Sequence, residues 1–179
     1  MDVGAGLMES WMRQYQDQIF SYAWRLTGNH ADAQEIVQDT FLRAHRALME
    51  RYSQDRLRDL SPRPWLFRIA HNLALNLLRS RRRRKEESLS DPLVAEPASH
   101  LCPGSELSHR QELGRMEAAL RLLDRGCREV VLLRFMAEMS YGEIAAVLGA
   151  TEAAVRGRVF RALRRLRRLL KESENDNEM

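Results

Sequence analysis

Apolar residues recur along this chain at helical spacing, about every 3.6 positions, and nothing alternates with period two for long. That pattern predicts helices and no sheet. Trp11, Tyr15, Ile19, Tyr22 and Leu26 form a first stripe, closed by Gly28 as a C-cap. A second helix covers residues 31–49, with Ala33, Ile36, Val37, Phe41, Ala44 and Leu48 on its apolar side. From Arg51 to Pro64 the period is lost, and Ser61, Pro62 and Pro64 predict a loop. A third helix is expected from about Trp65, carrying Leu66, Ile69, Leu73 and Leu77 up to the basic run RSRRRRK. Residues 86–104 hold three of the five prolines and no period, the pattern of a flexible linker. A second helical block follows over 105–171, and residues 172–179 trail as a solvated acidic tail. The expected fold class is therefore all-α: two small helical domains, 1–85 and 105–171, on a flexible linker.

The second block contains a sharper signal. Ser140 and Glu143 form an S-x-x-E capping box that starts a short helix bearing Ile144, Val147 and Leu148. Gly149 ends it, and Thr151 caps a longer helix two residues later. Short helix, glycine turn, longer helix is the helix-turn-helix pattern. In the longer helix Val155, Val159, Ala162, Leu163, Leu166 and Leu170 share one face. Gly157, Arg161, Arg164 and Arg168 share the opposite one, flanked by Arg156, Arg158, Arg165 and Arg167. A merely solvated face mixes charge signs, yet no acid occurs between Ala153 and Leu170. Such self-repulsion is relieved by binding phosphates, which points to DNA.

Charge changes the picture of the first block. The chain carries 29 Lys plus Arg against 25 Asp plus Glu, with only Lys85 and Lys171 as lysines. Arginine favours planar, bidentate contacts with phosphates and base edges. Against that balance Asp32, Glu35 and Asp39 line one side of the second helix, beside Gln34 and Gln38. Helix-end electrostatics account for Asp32 and Glu35 but not for Asp39, which lies beyond the first turn.

Catalytic and metal chemistry find little support. The five histidines, His30, His45, His71, His100 and His109, have no ligand spacing, and no phosphate-cradling or nucleophile motif occurs. Cys102 and Cys127 are too few and too distant for a disulfide framework or a metal site. No enzyme activity, metal or cofactor is expected. Met1–Ser10 lacks the apolar run of a secretory signal, and no stretch reaches the roughly 20 apolar residues of a membrane span. The expectation is a cytoplasmic chain with reduced thiols and no membrane insertion.

Three segments, taken together, resemble a known family. DAQEIVQDTFLRAHRAL, PWLFRIAHNLALNLLRSRRRR and LLDRGCREVVLLRFMAEMSYGEIAAVLGATEAAVRGRVFRALRRLRRLL are similar to successive blocks of bacterial extracytoplasmic-function (ECF) sigma factors of the sigma-70 family. The likeness runs from about residue 10 to 170, with a linker where that family has one. It implies a region 2 helical bundle followed by a region 4 helix-turn-helix. It also implies binding to core RNA polymerase, at the β′ clamp coiled coil and the β subunit, and to promoter DNA. An anti-sigma factor is a further implied partner. The implied polymerase-docking residues are Asp32, Glu35, Gln38, Asp39 and Leu42. For the −10 element, taken as single strand, they are Arg56, Arg58, Arg63, Trp65, Arg68 and Asn72, with Tyr52 and Phe67 as further stacking surface. For the −35 duplex, Glu152, Arg156 and Gly157 lie nearest the bases, while Arg158, Arg161 and Arg164 serve the backbone. The rival is a stand-alone helix-turn-helix repressor or activator, which leaves the acidic helix without a role.

Overall fold

The computed structural model describes residues 3–51, 60–87 and 107–175. Among them helices joined by short turns make up the structure, with no strand, and no helix is long and apolar enough to cross a membrane. Three helices build the first block: α1 (Val3–Thr27), α2 (His30–Arg51) and α3 (Pro62–Glu87). Gly28 ends α1 at φ 73°, a left-handed conformation that glycine adopts without strain, and its N–H donates to Trp24 O at 2.7 Å. Asn29 caps α2, accepting from the Asp32 N–H at 3.0 Å. The first two predicted stripes converge, with Trp11, Tyr15, Ile19, Tyr22 and Leu26 meeting Ala33, Ile36, Phe41, Ala44 and Leu48 of α2. Of the third stripe only Leu66 is fully buried; Ile69, Leu73 and Leu77 are partly exposed, and Phe67, Ala70 and Ala74 fill the α3 side of the core instead.

Two boundaries differ from the sequence expectation. α3 starts at Pro62, three residues before Trp65, and takes both prolines into its first turn. There the N–H that proline lacks has no intrahelical acceptor to lose. α3 also runs through the whole basic stretch to Glu87, because arginine propagates a helix well and no breaker intervenes. The rest of the expected linker lies outside the described residues.

The second block comprises α4 (Leu107–Leu122), α5 (Arg125–Val131), a π turn (Leu132–Met136), α6 (Tyr141–Leu148) and α7 (Glu152–Asn175). Asp124 caps α5, accepting from the Cys127 N–H at 3.0 Å. The capping box of α6 forms as expected, with Ser140 Oγ accepting from the Glu143 N–H and Glu143 accepting from the Ser140 N–H. Gly149 turns the chain at φ 61°, and Thr151 Oγ1 accepts from the Ala154 N–H. The expected tail begins late: Glu172–Asn175 extend α7, helped by the i,i+4 pair Arg168–Glu172 at 3.8 Å. Residues 176–179 lie outside the described residues.

The two blocks touch, although the sequence suggested no fixed relation between them. Arg63 Nη2 lies 2.8 Å from Glu143 Oε1, and Arg25 Nη2 lies 3.3 Å from Glu117 Oε1. Both are part-buried ion pairs that join α3 to α6 and α1 to α4.

Candidate functional site

The acidic side of α2 borders a cleft of roughly 790 Å³ between α1 and α2. Its walls include Met8, Met12, Phe20, Val37, Phe41 and Leu42, and Asp17, Gln34 and Gln38 give its polar margin. Glu35, Gln38 and Leu42 are exposed, and Asp39 is partly exposed with only a loose 3.9 Å contact to Arg43. An apolar trough beside exposed carboxylates and amides suits an amphipathic helix with basic flanks. The α1 wall was missed in the sequence. Its signal was readable, since Met8, Met12 and Phe20 repeat at multiples of four beside the main stripe.

Asp32 does not belong to this surface. It is buried, and its carboxylate meets the Arg81 guanidinium at two 2.6 Å contacts. A carboxylate taken from water requires such a partner, and the basic end of α3 supplies it.

The expected −10 residues divide into four groups. Tyr52, Arg56 and Arg58 lie outside the described residues. Arg63 is bound inward, to Glu143 and to Ala137 O at 3.4 Å. Trp65 is half-buried, edge-on to Trp11 with centroids 6.1 Å apart, and Phe67 is fully buried against Tyr22. Neither ring is a free stacking platform, because both close the core between α1 and α3. Arg68 and Asn72 are exposed as expected, and Asn76 and Arg79 continue their strip at helical spacing. Behind that strip His71 is buried, its Nδ1 2.8 Å from the Tyr22 hydroxyl. Burial, with Arg125 and Arg79 nearby, pushes the imidazole down to about 4. Burial, with Glu129 close, holds the Tyr22 phenol well above its usual value. Phenol and imidazole are therefore both neutral and share one proton-bearing hydrogen bond.

On α7, Glu152, Arg156, Arg161 and Arg164 are exposed. Gly157 is half-buried, and a Cβ there would stand 3.5 Å from Arg161 Nη1. Arg158 departs from expectation. It is half-buried, with its Cδ 3.8 Å from where a Cβ on Gly126 of α5 would sit. Its charge also eases Glu129, whose carboxyl burial pushes upward. Arg158 thus braces α7 against α5 as well as bordering the basic face. Phe160, 64% exposed among Arg156, Arg161 and Arg164, was not singled out in the sequence. An uncompensated aromatic inside an arginine run was the signal. Burial and Asp124 push the Cys127 thiol up to about 11, which makes it a poor nucleophile.

Comparison with known proteins converges on one family. The sigma-70 region 2 family matches residues 11–84, and the sigma-70 region 4 family matches residues 113–166. The chain is 35% identical over 164 residues to the ECF RNA polymerase sigma factor SigE of Mycolicibacterium smegmatis, covering 89% of this chain. It spans 61% of that relative's length. It is 41% identical over 145 residues to the RNA polymerase sigma factor CnrH of Cupriavidus metallidurans, covering 78% of this chain and 73% of that one. The sigma factor RpoE of Bartonella quintana, solved in complex with the anti-sigma factor NepR, aligns with a TM-score of 0.70 at 26% identity. That alignment covers 91% of this chain and 96% of the other.

Proposed function

The chain belongs to the ECF family of bacterial sigma factors, and from that premise we propose that it directs core RNA polymerase to promoters through two opposite surfaces. The carrying observation is their coexistence on separate blocks. One is an acid-and-amide margin beside an apolar cleft, and the other is an arginine face on the second helix of a helix-turn-helix. DNA repels the first and attracts the second.

In this reading the α1–α2 cleft with Glu35, Gln38, Asp39 and Leu42 receives the β′ coiled coil. Arg68 and Asn72 line the single-stranded −10 element, together with Arg56 and Arg58 of the preceding loop. Arg63 joins them only when its bond to Glu143 is exchanged for phosphate. The first turns of α7 enter the major groove of the −35 element, with Glu152, Arg156 and Gly157 nearest the bases and Arg161 and Arg164 on the backbone. The domains follow as 1–85 for docking and −10 recognition and 105–171 for −35 recognition. RNA synthesis belongs to the polymerase, and the chain works where the polymerase works, in the cytoplasm. An anti-sigma factor that laid a helix in the α1–α2 cleft would compete directly with the polymerase.

Transcription in vitro on a library of randomised promoters tests this. Core polymerase with this chain should enrich one paired −35 and −10 motif at fixed spacing, and core alone should not. Tight duplex binding without core, and no transcription with it, would instead favour the stand-alone repressor.

A further inference from the structure

Arg156 is held from two sides. Its Nη2 lies 2.8 Å from Glu152 Oε1, one turn earlier on α7. Its guanidinium carbon lies 5.2 Å from the centre of the Tyr141 ring, at the start of α6. The same ring has the Arg134 guanidinium 5.0 Å from its centre, and Arg134 Nη1 donates to Met139 O at 2.7 Å. The capping box fixes the backbone on which Tyr141 sits. The next residue, Gly142, lies against the carboxylate: a Cβ there would stand in ordinary contact, 3.7 Å, with Glu152 Oε2. The opening turns of both helices of the motif therefore converge on one arginine.

The two restraints differ chemically. Glu152 accepts from Nη2 alone, so it competes only with a base contact made through that nitrogen. An aromatic ring binds a cation through its π-face and takes no in-plane N–H donor. Arg156 is 65% exposed, and an exposed arginine samples many rotamers unless something holds its plane. We propose that Tyr141 is a positioning residue for −35 recognition, holding the Arg156 guanidinium by cation–π contact while leaving its N–H fork free for a base. The proposal rests on the assignment of Arg156 to base reading made above.

The test uses holoenzyme, reconstituted from core polymerase and full-length chain, on promoters randomised across the −35 element. Arg156→Ala is expected to flatten preference at one or two positions, by roughly tenfold or more for a lost bidentate contact. Tyr141→Ala and Tyr141→Leu should weaken preference at those same positions by about two- to fivefold, the range of an exposed cation–π contact. Their salt dependence should match the parent, since no phosphate contact is lost. Tyr141→Phe should restore parental preference, and Tyr141→Ala added to Arg156→Ala should flatten nothing further. A purely packing role for Tyr141 predicts instead an even loss on every −35 sequence together with a lowered melting temperature. That outcome, or unchanged base preference in Tyr141→Ala and Tyr141→Leu while Arg156→Ala alters it, overturns the proposal. If Arg156→Ala itself leaves base preference unchanged, the base-reading assignment falls and takes the proposal with it.

Discussion

Arg63 and Arg156 occupy comparable places, each in the opening turns of a helix expected to meet DNA, and the structure treats them differently. Arg63 is 30% exposed and pairs with a carboxylate 80 residues away, on the other block. Arg156 is 65% exposed and pairs with a carboxylate four residues away, on its own helix. The first bond ties the blocks together and occupies the guanidinium, whereas the second only orients a side chain that stays on the surface. An arginine is thus available to a partner or not according to where its acid comes from. The acids of α2 repeat the lesson. Asp32 is consumed by Arg81 across the bundle, while Glu35 and Asp39 keep facing outward.

The largest expected effect tests that contrast among the acids. Reversing Glu35 and Asp39 to arginine opposes charge across the docking surface, at a cost of several kcal/mol, with the helical content unchanged. Co-purification with core polymerase should be lost; retention would refute the docking assignment. Asp32→Asn should do the converse, sparing docking while lowering stability by about 2 kcal/mol through loss of a charged, buried hydrogen-bond acceptor.

Next comes the arginine face. Arg156→Ala should change which −35 bases are preferred, at about 1–3 kcal/mol. Arg161→Ala should weaken all −35 sequences alike and reduce the salt slope by about one. Equal shifts in base preference from both variants would erase the division drawn along α7.

The bond between blocks should be weaker. Glu143→Gln keeps an acceptor for the capping box but removes the charge facing Arg63, and a part-buried pair of this kind contributes about 1 kcal/mol or less. Limited proteolysis within residues 86–104 should be faster in that variant, and Arg63 should bind single-stranded −10 DNA more readily. Parental rates for both would mean that the Arg63–Glu143 bond does not govern access to the −10 side.

The smallest effect near neutrality concerns His71. Its folded value is lowered to about 4, so it contributes stability above its ordinary value of about 6.5 and loses it as pH falls from there toward 4. Glu129, raised by burial, works in the opposite sense. Over the first unit below about pH 7 the His71 loss should be ~1 kcal/mol or less. His71→Gln should flatten that part of the stability profile in thermal melts, and a slope equal to the parent's would assign it elsewhere.

Local chemistry made several features legible in the sequence alone. Gly28 and Gly149, the Ser140–Glu143 box and the Thr151 cap depend on residues within one turn, and each formed as the sequence predicted. The apolar stripes were equally plain, because a helix repeats its faces regardless of what covers them. The acid-free face of α7 followed from the same periodicity. Helix ends were less secure: Pro62 and Pro64 can open a helix as readily as break one, and only the packing of Trp65 and Phe67 against α1 decided between them. Side-chain availability was not legible at all. Periodicity put Asp32 beside Glu35 and Asp39, but Arg81 of α3 claimed it; the family resemblance grouped Arg63 with Arg68, but Glu143 of the other block claimed Arg63. Ion pairing acts through space and ignores sequence separation, so the residues left free for a partner were settled only once α1–α3 had packed and the two blocks had met.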